Sequence, residues 1–154
     1  MGDVRWLTPP EQSAWRAYVV TWLRLRQRLH RELTDAHDVS LTDYEVLVVL
    51  DVQDGGRMRM SDLAHELGST KSRLSHQVGR MEAEGLVRRV PDPDDKRGVI
   101  AELTQAGNAL LTDAAPTHVH GVRRHLIDLL TPEEQLVMSA AFTRVLEHLK
   151  DLPD

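Results

Sequence analysis

From Ser69 to Arg80 the chain carries Ser69, Thr70, Lys71, Ser72, Arg73, Ser75, His76, Gln77 and Arg80, and no carboxylate. Hydroxyls, an imidazole, an amide and cations are the groups that meet nucleic acid. Arg forks onto guanine, while Ser, His and Gln reach base edges and phosphates. Their spacing lets them act together. At about 100° per residue, Leu74, Val78 and Met81 fall within about 60° of one another and form a buried stripe. The opposite arc then holds Ser69, Ser72, Arg73, His76 and Arg80, with Gly79 beside them to let backbone approach closely. The acids Glu82 and Glu84 come only in the last turn. A helix with such a face can enter the major groove of duplex DNA. An ordinary solvated face looks similar, so the reading rests on what surrounds it.

A second basic point follows directly. Residues 86–90 are extended in character, 91–98 read as a polar loop, and 99–103 return as a strand. Lys96 and Arg97 therefore stand at a hairpin tip, beside Asp92, Asp94 and Asp95. Other chemistry is weaker. His118, His120 and His125 cluster near Pro116, with His30 and His37 elsewhere, but none of the three is spaced i, i+4. No acid stands close enough in sequence to complete a tetrahedral set, so they read as surface histidines and no metal or cofactor is expected. There is no glycine-rich phosphate loop, nucleophile elbow or metalloprotease motif, so no enzyme is expected.

Ser61 reads as the N-cap of a helix with an apolar stripe at Leu63, Ala64 and Leu67. Gly68 ends it, and Ser69 or Thr70 caps the next helix after two or three residues, which spells a helix-turn-helix. Gly85 ends the second helix. Residues 57–60 supply a short extended lead that can pair with the hairpin as a third strand. Upstream, Pro9-Pro10-Glu11 starts a helix running to about 36, after a loosely attached arm at 1–10. Arg24, Arg26, Arg28 and Arg31 surround its apolar stripe, a basic run that suggests phosphate contact but reads equally as a solvated face pairing with the acidic body. A second helix is expected over 39–54, capped by Thr42 with Glu45 as its reciprocal partner. Downstream, Thr104 caps a helix that Pro116 should bend or interrupt, with its stripe resuming through Val119, Val122, Leu126, Leu129 and Leu130. Thr131-Pro132-Glu133-Glu134 opens a last helix.

With 154 residues the chain is one domain by length. It has no Cys, hence no disulfide or thiol switch, and no apolar run long enough to span a membrane, so a cytoplasmic location is expected. The net charge of -5 is unevenly placed. Residues 57–97 hold nine Lys or Arg against seven Asp or Glu, or +2, while the remainder holds ten against seventeen, or -7. A basic head on an acidic body suits phosphate attraction without indiscriminate binding.

These elements, in this order, make a winged helix-turn-helix, and the residues resemble the MarR-type transcriptional regulators. The matching motifs are Ser61-Asp62-Leu63-Ala64, Leu74-Ser75, residues 81–87 (MEAEGLV), Asp95-Lys96-Arg97-Gly98 and residues 103–107 (LTQAG). The resemblance spans roughly residues 12–148. It implies a mainly α fold with a small β wing: a reading head over 40–103, flanked by dimerisation helices at 11–36 and 104–150 within one domain, 1–154. The amphipathic terminal helices, carrying more apolar surface than one small head can cover, fit that role. It further implies a homodimeric repressor on a near-palindromic operator, with Asp95 bracing Arg97 as the latter enters the minor groove. In such proteins a small aromatic or anionic effector binds between dimerisation helices and head. Trp15, Tyr18, Trp22 and Tyr44 are the candidates here, although a core or dimer-seam stripe explains them equally well. An interaction module that has kept the fold and lost operator binding is the alternative function.

Overall fold

The computed structural model describes residues 4–150 and 152. Its helices are α1 (Pro9–His37), α2 (Leu41–Asp51), α3 (Met60–Glu66), α4 (Lys71–Ala83), α5 (Gln105–His125) and α6 (Pro132–Lys150). The strands are β1 (Arg57–Arg59), β2 (Val87–Pro91) and β3 (Val99–Leu103), with β3 central in an antiparallel sheet. The lead into the helix-turn-helix is indeed the third strand, with Arg57 opposite Glu102 and Arg59 opposite Ile100. The fold is thus mainly α with a small β wing. Residues 1–3 of the expected arm lie outside the described residues, and Pro9 and Pro10 belong to α1 rather than to the arm.

Local chemistry explains most boundaries, including those that differ from expectation. The Thr8 amide and hydroxyl both donate to Glu11, at 2.8 and 2.9 Å, and start α1 two residues early. The α2 cap is Ser40, not Thr42: its hydroxyl accepts from the Asp43 amide at 3.0 Å. With Ser40 as the cap the reciprocal position falls on Asp43, so Glu45 has no part in capping, and its carboxylate binds Arg26 of α1, one bond measuring 2.9 Å. Nor does Ser61 cap α3, which begins at Met60 with Arg59 as its cap residue. Pairing of β1 up to Arg59 carries extended backbone straight into the helix, leaving Ser61 inside the first turn. Thr70 caps α4 by accepting from the Arg73 amide at 3.2 Å, and Gly68 and Gly85 take positive φ as the turns require.

Pro116 does not interrupt α5, which runs unbroken for 21 residues. An interior proline costs about 3 kcal/mol, but α5 packs along α1. A Cβ on Gly121 would lie only 2.7 Å from Leu29 Cδ2 and 2.6 Å from Glu32 Oε2, so side chains of α1 rest directly on the α5 backbone there. The helix ends at His125, and Leu129, expected on its stripe, is exposed at the end of a short 3₁₀ turn, Ile127–Leu129. The core gathers Leu33, Val46, Leu47, Leu50, Leu63, Leu74, Val78, Met81 and Val87 between α1, α2, the helix-turn-helix and the sheet. By contrast α6 has no buried residue, and α1 buries only Leu29 and Leu33.

Candidate nucleic-acid interface

Leu74, Val78 and Met81 are fully buried, which turns the remaining face of α4 outward. Lys71, Ser72, Arg73, Ser75, His76 and Arg80 are exposed; Ser69 and Gln77 are half-buried. The side chains divide in use. Lys71 and Ser75 line a cleft with Ser61, Arg89 and Val99. Ser69, Thr70 and Lys71 line a neighbouring one with Ser61 and His65. A third cleft continues from Arg89 and Val99 to Lys96 and Arg97. The three share residues and form one belt from the turn to the wing, with four cations and no carboxylate among the lining residues. Arg73, Gln77 and Arg80 instead line a cavity toward the body. Gln77 donates to Asp43 Oδ1 at 2.9 Å, and Arg80 Nη2 lies 3.5 Å from the same oxygen.

The wing is built around a buried acid. Of the three loop aspartates, Asp92 turns inward and is 5% exposed. Its carboxylate accepts the Asp94 amide at 2.9 Å and meets Arg59 Nε of β1 at 2.6 Å. A Cβ on Gly98 would stand 2.8 Å from the Asp92 Cβ, so this closing position admits only glycine without rearrangement. Asp95 Oδ1 accepts the Arg97 amide at 3.0 Å, and Gly98 donates to the Asp95 carbonyl at 2.8 Å. Asp95 therefore engages the backbone of Arg97. Lys96 and Arg97 are exposed.

Sequence reading passed over Arg89, which joins two of the clefts. Its amide and guanidinium bind Glu82, at 2.8 and 2.9 Å, and these bonds hold that carboxyl below its ordinary value. They tie β2 to the end of α4, and Gly79 lies beside the same guanidinium. The signal for it in the sequence is the Arg88-Arg89 pair, whose charge adds to the basic head.

The four aromatics do not form one site. Trp22 and Tyr44 line a cavity of about 690 Å³ with Arg26, Glu45, Glu66, Arg73 and His118, between α1, α2, α4, α5 and the end of α3. Tyr18 and Trp22 line a separate apolar groove of about 560 Å³ with Leu25, Met138 and Phe142. Trp15 lines neither of these, and its ring lies 6.0 Å from that of Tyr18. Tyr44 is buried, which raises its phenol above the ordinary value. The histidines are not all surface groups. His118 is half-buried, its ring 4.7 Å from that of Tyr44, with Nδ1 buried and unpartnered; burial lowers its pKa although the Glu45 charge opposes. His125 binds Glu32 at 2.8 Å, and His37 contacts Asp113 at 3.0 Å and Thr117 at 2.8 Å, both joining α1 to α5. Among the described residues no three His, Asp or Glu side chains are grouped to hold a metal ion.

A helix-turn-helix closed by a three-stranded hairpin sheet defines a winged helix-turn-helix protein. The chain belongs to the MarR family of transcriptional regulators, and that family's sequence model matches residues 37–98. It is 44% identical to AbsC, a MarR family transcriptional regulator from Streptomyces coelicolor, covering 97% of this chain and 100% of that one at a TM-score of 0.89. It is 40% identical to Sco3205 of the same organism and family, whose crystal structure is in complex with DNA, with coverage of 98% and 94% and a TM-score of 0.90. The transcriptional regulator HosA from Escherichia coli O111:H- is 34% identical over 108 residues, 70% of this chain and 76% of HosA. The chain is thus a transcriptional regulator, and among the described residues no helix is long and apolar enough to cross a membrane.

Proposed function

We propose that the protein is a homodimeric, ligand-responsive repressor that reads a near-palindromic duplex in the cytoplasm. Residues 40–103 act as the reading head and residues 11–36 and 104–150 as the dimerisation layer. The observation that carries this reading is the unbroken, carboxylate-free belt from Ser69 through Lys71, Ser75 and Arg89 to Lys96 and Arg97. A recognition helix reads the major groove while a basic wing tip reaches phosphates or the minor groove, and both are served by such a belt. Likeness to Sco3205, a protein crystallised with DNA, supports it. Ligand response is supported by the larger cavity, where Trp22, Tyr44 and His118 offer rings and Arg73 a cation suited to an aromatic anion. Arg73, Gln77 and Arg80 line that cavity from α4, so an occupant touches the recognition helix itself.

Selection of bound sequences from a random duplex library, followed by a salt titration on the winner, tests the reading. Phosphate contacts release counterions, so log K should fall steeply with log[salt], by about 0.9 per phosphate neutralised. Failure to enrich any duplex, or affinity indifferent to salt, would leave an interaction module instead.

A further inference from the structure

The apolar face of α4 sets how deeply the helix sits, but Leu74, Val78 and Met81 make contacts with little directional preference. Something else must fix its rotation about its own axis. That rotation matters. With side-chain tips about 6 Å from a helix axis, a roll of about 10° displaces them by roughly 1 Å. A shift of that size moves a donor out of register with a base edge.

At its C-terminal end Glu82 of α4 binds Arg89 of β2; the directional contact nearer the middle of the helix comes from α2. Asp43 is 7% exposed, one of only two buried residues with polar or charged side chains among those described. A carboxylate in that position has given up most of its hydration and needs charge-assisted or strong hydrogen bonds in return. It obtains them from α4, through the Gln77 amide at 2.9 Å and the Arg80 guanidinium at 3.5 Å. Gln77 and Arg80 are one helical turn apart, so both bonds resist the same roll. We propose that Asp43 is a positioning residue for DNA recognition, which sets the roll of α4 by holding Gln77 and Arg80 and so aims Ser72, Arg73 and His76. Gln77 then serves as an anchor to the body, not as a reader of bases. The neighbours of Asp43 give the anchor a firm base: Glu45 is held by Arg26 of α1, and Tyr44 packs on His118 of α5. Three successive residues thus fasten the first turn of α2 to three different helices.

This inference rests on the DNA-binding reading above, and the experiment separates the two. Wild-type protein first selects its duplex from a random library; no enrichment would end the reading itself. Affinities of Asp43→Ala, Asp43→Asn, Gln77→Ala and the Asp43→Ala/Gln77→Ala double variant are then measured on the selected and a scrambled duplex. Asp43→Ala should lose about tenfold on the selected duplex and less than about twofold on the scrambled one. Asp43→Asn keeps an acceptor for Gln77 and should stay within about threefold of wild type. The double variant should be no worse than the worse single one, because both remove one contact. If Asp43→Ala does not fold, the selection repeated with Gln77→Ala decides. Relaxed preference spread over several base pairs supports positioning, and loss at one base pair shows Gln77 reading it and overturns the proposal. Unchanged discrimination in Asp43→Ala, or equal loss on both duplexes, overturns it as well.

Discussion

The Asp95 carboxylate accepts the Arg97 amide, which makes it part of the turn's geometry as well as part of the charge at its tip. Those two contributions have opposite consequences for binding a polyanion, and substitution separates them. Arg97→Ala should weaken binding to the selected duplex at least tenfold, about 1.4 kcal/mol, without altering dimer stability. Asp95→Ala should also weaken it, since the turn that presents Arg97 is loosened. Asp95→Asn retains the acceptor and sheds the charge, so it should bind at least as tightly as wild type. Tighter binding by Asp95→Ala, read by fluorescence anisotropy, would reduce Asp95 to a charge. The tip motif was legible from residue types alone. What Asp92 does was not, because nothing in a run of loop aspartates distinguishes the one that turns inward to meet Arg59 across the sheet. Asp43 was hidden for the same reason: its partners, Gln77 and Arg80, lie far along the chain.

Elements were easier to recognise than their ends. Periodic apolar positions gave the existence and order of α1 to α6, and hairpin punctuation gave β2 and β3. Caps differ where a neighbouring residue or strand takes the place, as Ser40 does for Thr42 and as pairing of β1 up to Arg59 does for Ser61. Continuity of α5 through Pro116 likewise depends on packing against α1, which no local rule weighs. The contact between α5 and α2 carries a titration. Burial lowers the pKa of His118 against the opposing Glu45 charge, so the folded chain takes up that proton less readily than the unfolded one. The stabilising effect is therefore complete above about pH 6.5 and is lost as pH falls toward the depressed folded value. Replacing His118 by Phe keeps a ring against Tyr44 and removes the proton. Thermal denaturation at pH 7.5 and 5.5 should show wild type losing more stability than the variant; equal losses would mean that His118 titrates alike in both states.

At the scale of the molecule, the chain ends in surface that wants covering. In α6, Leu136, Val137, Val145, Leu146 and Leu149 are all more than half exposed, and Trp15 and Leu23 of α1 are similarly open. Exposed apolar area of this extent on two long helices is the surface on which the proposed dimer would pair. Sedimentation should find a dimer at micromolar concentration, and a chain ending at Leu130 should lose at least tenfold in affinity for a palindromic duplex while still binding a half-site. A full-length monomer binding the palindrome tightly would refute the dimer.

Trp22 borders both the apolar groove and the larger cavity, and Arg26 lies over its ring at 5.1 Å to the centroid. The indole thus sits on the wall between the two spaces with a cation against its π face. A guest in either space changes the polarity around the ring or displaces the guanidinium, and indole emission responds to both. With Trp6 and Trp15 replaced by Phe, the remaining indole would be an optical reporter at the junction where the proposed small molecule would be felt, so ligands could be screened by light with no label attached.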